Sequence, residues 1–257
     1  MVKNSFKYLL PTILICVFLS CKKESPKVGK VIGKQIPIED TIATNSEIDE
    51  FIAPFRAHLN KAMDSIISYA PKDMHKKDGD LETTIGNLMA DIVILEGNPI
   101  FNKRTSKNID FSLLNYGGIR APISKGDVTM RTAYEVMPFE NAIVVVELAG
   151  NRVKELLEYL ASKKRAHPVS GVKVLLNEDY SIKSFEINGE PFNEHRNYYV
   201  ATSDYLQHGG DNMVFFKDPV NLYNIDYKIR NAMIDHFLKT DTIPAKLDGR
   251  FTRLKTK

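Results

Sequence analysis

Apolar positions change their spacing several times along the chain, and each change predicts a different element. From Asn45 to about Ala70, Ile48, Phe51, Ile52, Phe55, Leu59, Met63 and Ile66 recur at intervals of three and four. That spacing predicts one amphipathic helix, with Asn45 or Ser46 as its N-cap and acids in its first turn. ETTIGNLMADIVILEG predicts a second helix, opened by Thr83 or Thr84 and closed by Gly97. NRVKELLEYLASKK predicts a third, with Asn151 at its start and lysines at its end, where the helix dipole favours cations. IDYKIRNAMIDHFLKT predicts the last. Between them, IDFSLLN, NAIVVVELAG, GVKVLLN, IKSFEI and YYVATSDYL read as strands, and GDVTMRTAYEVMPF carries a helix-like turn. Helices and strands interleave without the regular alternation of a parallel sheet, so the expected class is α+β, one domain over residues 46–257.

The first residues follow another pattern. MVKNSFK is a basic n-region and YLLPTILICVFLS an apolar run too short for a comfortable membrane span. It ends in LSC before KKES, a pattern that looks like a bacterial lipobox, so residues 1–20 are expected to be a signal peptide and Cys21 the lipidated first residue. The competing reading is an ordinary secretory signal with Cys21 incidental. Cys16, the other cysteine, lies inside the apolar run, which leaves Cys21 without a disulfide partner and favours lipid attachment. Residues 21–45 mix Lys, Pro, Gly and Ser and read as a tether, with a short strand in VIGKQIPI. The expected location is the cell envelope, anchored by lipid at the periplasmic face or the surface of the outer membrane.

Composition narrows the function. The 257 residues, 43% hydrophobic and 26% charged, are ordinary for a folded domain with a sizeable core. Lys3 and Lys7 account for two of the net +3 charges, leaving about +1 on the mature chain and no electrostatic case for nucleic acid. The six histidines, His58, His75, His167, His195, His208 and His236, are scattered, with no HExxH and no paired-cysteine site. No GxSxG elbow occurs either. No metal ligands and no catalytic nucleophile are therefore expected in this chain.

Three loop segments at the ends of apolar elements remain. In NYGGIR, Gly117 and Gly118 are expected to permit positive φ and close backbone approach, leaving amides for a polar ligand. Arg120 offers a planar fork to phosphate or carboxylate, and Asn115 both donates and accepts. A tight turn with a salt-bridged arginine is the competing reading. VMPFEN places Phe139 after Pro138, where an aromatic usually serves the core. YLQHGGDNMVFF holds Tyr205, Gly209, Gly210 and Asp211, which read either as a hairpin turn or as a stacking ring with a carboxylate for vicinal hydroxyls. Together the loops contain what a nucleoside site needs: two rings for a base, a carboxylate for ribose, and cationic and amide groups for the polar edge.

TIGNLMAD, NYGGIRAPISKGDVTMRTAYEVMPFEN, VVELAGNRVKELLEY, HPVSGVKV and YYVATSDYLQHGGDN, in that order, closely resemble the C-terminal, substrate-recognition domain of the 5′-nucleotidase family. That family also includes UDP-sugar hydrolases and 2′,3′-cyclic-nucleotide phosphodiesterases. The resemblance runs from about Glu82 to Phe216. It implies that Asn115 and Arg120 contact the nucleotide, that Phe139 and Tyr205 stack on the two faces of the base, and that Asp211 holds the ribose. Tyr116 stands where the family has glycine. Leu81, before Glu82, stands where members often carry a basic residue.

Family enzymes carry a two-metal phosphoesterase centre in a separate N-terminal domain, for which this chain shows only a leader and tether. The resemblance thus implies a nucleotide-recognition component whose partner is a separately encoded metallophosphatase, which would hold the divalent metals. A stand-alone nucleoside- or nucleotide-binding lipoprotein is the alternative. Activity of the chain alone would need a metal site that its motifs do not reveal, and a degenerate relic is a further reading.

Overall fold

A computed structural model describes residues 29–39, 41–244 and 246–255. Cys21 and the leader fall outside them. The chain divides into two compact units, Met1–Asp49 and Glu50–Lys257. In the described part of the first, residues 31–38 form no strand, so the one expected in VIGKQIPI is absent. Helix α1 (Ser46–Met63) is capped as expected: Asn45 Oδ1 accepts from the amides of Glu47 (3.0 Å) and Ile48 (3.3 Å).

Two corrections concern α1. It stops at Met63 and buries no residue, with Phe51 and Phe55 72% and 67% exposed. Ile66 instead opens strand β1 (Ile66–Ala70), which pairs antiparallel with β3 (Gly126–Thr129). The inward residues of β1, Ser68 and Ala70, are small, so no apolar alternation marks the strand.

The core is built around a five-stranded sheet ordered β10–β4–β9–β2–β5, comprising Asn221–Lys228, Ala142–Ala149, Asn197–Ser203, Phe111–Leu113 and Val169–Ser170. β4 shows why its sequence is a continuous apolar run. Ile143 and Val145 pack with Ile85, Leu88, Met89 and Ile92 of α2 (Thr84–Thr105), while Val146 and Leu148 pack with Val153, Leu156 and Leu160 of α3 (Gly150–Lys163). A strand covered on both faces loses the polar alternation of a half-exposed one. A second sheet, ordered Phe251–Arg253, Val172–Leu176, Ile182–Ile187 and Glu190–Pro191, extends the latter cluster through Val174, Leu176, Phe185 and Ile187.

Three helix boundaries differ from expectation. Thr83 caps α2, its hydroxyl accepting from Gly86 N at 3.1 Å, but the helix runs past Gly97 to Thr105. Gly97 is buried in mid-helix, where a Cβ would come within 3.3 Å of Ile225 Cδ1, so the glycine serves close packing on the sheet rather than termination. α3 begins one residue before Asn151, without a side-chain cap. The last long helix, α4, is Ile229–Leu238, because IDYK belongs to β10, where a register shift between Asn224 and Tyr227 disturbs the pairing with β4.

Topology brings the three loops together. β2 and β9 run parallel, with Ser112 opposite Ala201, so the chain leaves both at the same end of the sheet. β4 runs antiparallel to β9 with Ile143 opposite Ser203, so the segment entering β4 sits beside the exit of β9. NYGGIR follows β2, PFEN precedes β4 and YLQHGGDN follows β9.

Candidate functional site

Asn115 leaves β2 in extended conformation and starts a 3-10 turn, Tyr116–Gly118, closed by Gly118 N–H donating to the Asn115 carbonyl at 3.0 Å. Neither glycine has positive φ, which corrects the expected reason for the pair, and Gly118's amide is spent inside the turn. Their small size is what the site uses. A Cβ on Gly118 would lie 2.9 Å from Asn115 Oδ1, and one on Gly117 would lie 3.4 Å from its Nδ2, because the Asn115 side chain folds back over the turn. Folded that way, Asn115 Nδ2 donates to Asp211 Oδ2 at 2.7 Å.

Asp211 reaches this position through unusual backbone. No hairpin follows β9. Ser203 caps a short helix, Asp204–Gln207, that carries Tyr205, and Gly209 then turns the chain at φ 89°. Asp211 itself sits at φ 52°, ψ 24°, a region that aspartate tolerates better than bulky residues. Four contacts hold it there. Tyr205 Oη donates to Oδ1 (3.1 Å) and accepts from the Asp211 amide (3.3 Å), Tyr159 Oη donates to its carbonyl (2.8 Å), and Asn115 holds Oδ2. An ionised carboxylate has about four acceptor positions, so two such donors leave capacity for a ligand's hydroxyls. Gly210 is the floor beneath the ring: a Cβ there would lie 2.4 Å from Tyr205 Cε1.

Phe139 is 39% exposed and Tyr205 46%, so neither ring belongs to the core. Arg120 projects with its guanidinium carbon 5.8 Å from the Phe139 ring centre, and among the described residues no carboxylate lies within 4.0 Å of it. The salt-bridged turn is therefore not what forms. Behind Phe139, the buried Arg230 of α4 donates to the carbonyls of Pro138 (3.2 Å) and Phe139 (3.3 Å), pairs with Glu140 and stacks 4.2 Å over Tyr134. Hydrogen bonds from Arg230 and Lys228 hold the Glu140 carboxyl at about 2, below the usual carboxylate range.

One cavity of about 440 Å³ joins these parts. Asn115, Gly117, Gly118, Arg120, Phe139, Tyr205 and Asp211 all line it, whereas Gly210 acts from beneath Tyr205. The sequence reading missed Asn141 and Ser203 at the wall, and Met89, Leu114, Met137 and Ile229 as its apolar lining. Asn141 closes the VMPFEN motif, so its letter was in view. Its Nδ2 donates to Asp204 Oδ1 at 2.9 Å, which ties the Phe139 loop to the helix bearing Tyr205. Leu81 is in the core, 1% exposed, and its neighbour Glu82 accepts from Asn87 Nδ2 and Gly249 N, both at 2.9 Å. Among the described residues no group of three or more His, Cys, Asp or Glu is gathered where it could hold a metal ion, and no helix is long and apolar enough to cross a membrane.

The Bacillus subtilis trifunctional nucleotide phosphoesterase YfkN is 27% identical over 235 residues, which cover 84% of this chain and 16% of that protein. A 5′-nucleotidase-related protein of Glossina morsitans morsitans is 24% identical over 255 residues, covering 88% and 45%. Escherichia coli UshA is 25% identical over 202 residues, covering 74% and 34%. The chain thus spans less than half the length of each of these relatives. Among solved structures, the 5′-nucleotidase precursor of Thermus thermophilus shares the fold at a TM-score of 0.68 and 22% identity, over 82% of this chain and 44% of its own. Haemophilus influenzae NAD nucleotidase does so at 0.61 and 19%, over 82% and 42%. The model of the 5′-nucleotidase C-terminal domain matches residues 66–218, more than half of the chain and all three cavity loops, and the chain belongs to that family.

Proposed function

We propose that the cavity binds the nucleoside part of a nucleotide and presents its phosphate to a separately encoded two-metal phosphoesterase. The base lies between Phe139 and Tyr205, the ribose hydroxyls on Asp211, and the polar or phosphate edge toward Asn115 and Arg120. The observation that carries this reading is the joint lining of one cavity by two half-exposed rings and a carboxylate fixed by Asn115 and Tyr205. Its volume falls within the roughly 300–1,000 Å³ of small-molecule sites. Membership in a nucleotide-recognising domain family supports a nucleotide ligand.

In this arrangement the partner would hold the metal ions, which would supply an activated water and charge stabilisation at the leaving oxygen, and this chain contributes orientation. Binding energy from base and ribose holds the phosphate where the partner can attack it. A lipid on Cys21 would keep the pair at the membrane surface of the cell envelope. Mixing the soluble protein with a candidate metallophosphatase and assaying 5′-AMP hydrolysis tests the division of labour. Enhanced hydrolysis together with a complex on gel filtration is expected, and the absence of both contradicts it.

A further inference from the structure

Helix α1 carries a strain that nothing among the described residues offsets. Pro54 sits in its interior, where it removes a hydrogen bond to the Glu50 carbonyl and crowds the preceding turn. Most helical stability in proteins comes from burying an apolar face, yet α1 buries no residue. Its exposed apolar side chains are nevertheless ordered as a seam. Ile52, Phe55, Leu59 and Ala62 follow one another at steps of three, four and three, the repeat of a helix that packs along a second helix. Phe51 widens the seam, its ring centre 5.8 Å from that of Phe55. Contiguous apolar surface of this kind marks an interaction site.

The rest of the domain holds α1 from another side. Arg131 Nε donates to Asp64 Oδ1 at 2.8 Å and its Nη2 to Asn60 Oδ1 at 3.1 Å. With 3.6 residues to a turn, Asn60 and Asp64 point away from the seam, so these contacts leave it uncovered. Both are exposed, and exposed pairs contribute little to stability.

Charge selects the occupant. Glu47, Asp49 and Glu50 gather at one end of α1, and Arg56 and Lys61 lie in its other half. Helices that rest on membrane surfaces have polar faces rich in Lys and Arg, whereas here the acids outnumber the bases. A second α1 laid antiparallel is the better match. It sets each acidic end beside the other helix's basic half and opposes the two helix dipoles, whereas a parallel pair would bring like ends together.

We propose that α1 pairs antiparallel with α1 of a second copy of this chain, about a two-fold axis near Phe55. The two Phe55 rings then meet at the axis, and Phe51 of each copy packs against Leu59 of the other, as an isologous interface requires. No residue of α1 lines the nucleoside cavity, so the pairing stands apart from what that cavity binds.

Sedimentation equilibrium of the soluble protein decides the matter. Wild type is expected to pass reversibly from monomer to dimer in the micromolar range. Phe55→Glu and Leu59→Glu, which bring carboxylates into the seam, should remain monomeric, while Ala57→Glu on the opposite side should behave as wild type. Replacing both Arg56 and Lys61 by Glu should weaken the dimer about tenfold at low salt, with recovery as salt screens the like charges. Circular dichroism of each variant verifies that the fold is retained. A wild-type protein that stays monomeric overturns the proposal, including one that instead sediments with phosphatidylglycerol vesicles or binds a candidate metallophosphatase through this face. A dimer that Phe55→Glu and Leu59→Glu leave intact also overturns it, and a charge variant as tight as wild type at low salt overturns the antiparallel arrangement.

Discussion

Asn115 and Asp211, separated by 96 positions in the chain, meet at 2.7 Å in the wall of the cavity. The contact locks the NYGGIR turn to the GGD turn, so each fixes the other's orientation before any ligand arrives. Asp211→Ala is expected to weaken nucleoside binding by about tenfold or more, since a hydrogen bond to a charged group contributes roughly 1.5–3 kcal/mol. Asn115→Ala should weaken it less, because Tyr205 still holds the carboxylate. Titration with adenosine checks both, and the exposed position of Asp211 predicts little change in melting temperature.

Stacking makes a separate prediction. Phe139→Ala and Tyr205→Ala should each cost about 1–3 kcal/mol of nucleoside affinity, the range for a base lost from an aromatic platform. Tyr205→Phe should be milder for the base but should loosen Asp211, which the tyrosine hydroxyl contacts twice. Comparing adenosine with ribose 5-phosphate separates the effects, as Phe139→Ala should spare the ligand without a base.

Gly118 and Gly210 act through size. Gly118→Ala would place a Cβ 2.9 Å from Asn115 Oδ1 and push that side chain off Asp211. Gly210→Ala would drive Tyr205 away, with its ring atoms 2.4–2.7 Å from the new carbon. Both should lower affinity severalfold with a modest loss of stability, measured by titration alongside thermal melting.

Arg230 holds the Phe139 loop from behind. Arg230→Met leaves the carbonyls of Pro138 and Phe139 without their donor and should cost roughly 1–3 kcal/mol of stability in chemical denaturation. Nucleoside affinity should fall as well, although Arg230 does not line the cavity.

His167 supplies a pH dependence. It is 5% exposed, and its Nδ1 accepts from Tyr116 N–H at 3.3 Å. Burial foremost, with the Arg165 charge added, lowers its pKa from 6.5 to about 4 against the opposing pull of Asp211. In that interval the unfolded chain binds the proton and the folded chain does not, so stability rises with pH. The full contribution, about 3 kcal/mol at about 1.36 kcal/mol per pKa unit, is present above about pH 6.5 and lost as pH falls through about 4. Denaturation midpoints for wild type and His167→Gln between those limits should diverge in slope, with the variant flatter.

Much of this was legible in the residues, and the failures have physical reasons. β4 declared itself by a continuous β-branched apolar run, and α3 by a single helical periodicity of its apolar positions. α2 was cut short at Gly97 because a glycine signals termination unless a neighbouring strand needs the space. Ile66 looked helical because the inward residues of its strand, Ser68 and Ala70, carry no apolar signal. The cavity residues Asn115, Arg120, Phe139, Tyr205 and Asp211 were named from their loops, but the reason for the glycine pair was misread. Its role depends on where the Asn115 side chain folds, which no local pattern reveals. Asn141 and Arg230 were missed because each acts on a segment reached only through the tertiary fold.

The central claim is that the cavity recognises a nucleoside through its two rings and its carboxylate. Calorimetric titration of wild type, Phe139→Ala and Asp211→Ala with a panel of nucleosides and their 5′-monophosphates tests it most directly. The account predicts saturable one-to-one binding by wild type to at least one member and loss of about tenfold or more in each folded variant. Absence of binding to the whole panel, or affinities that both substitutions leave unchanged, would contradict it.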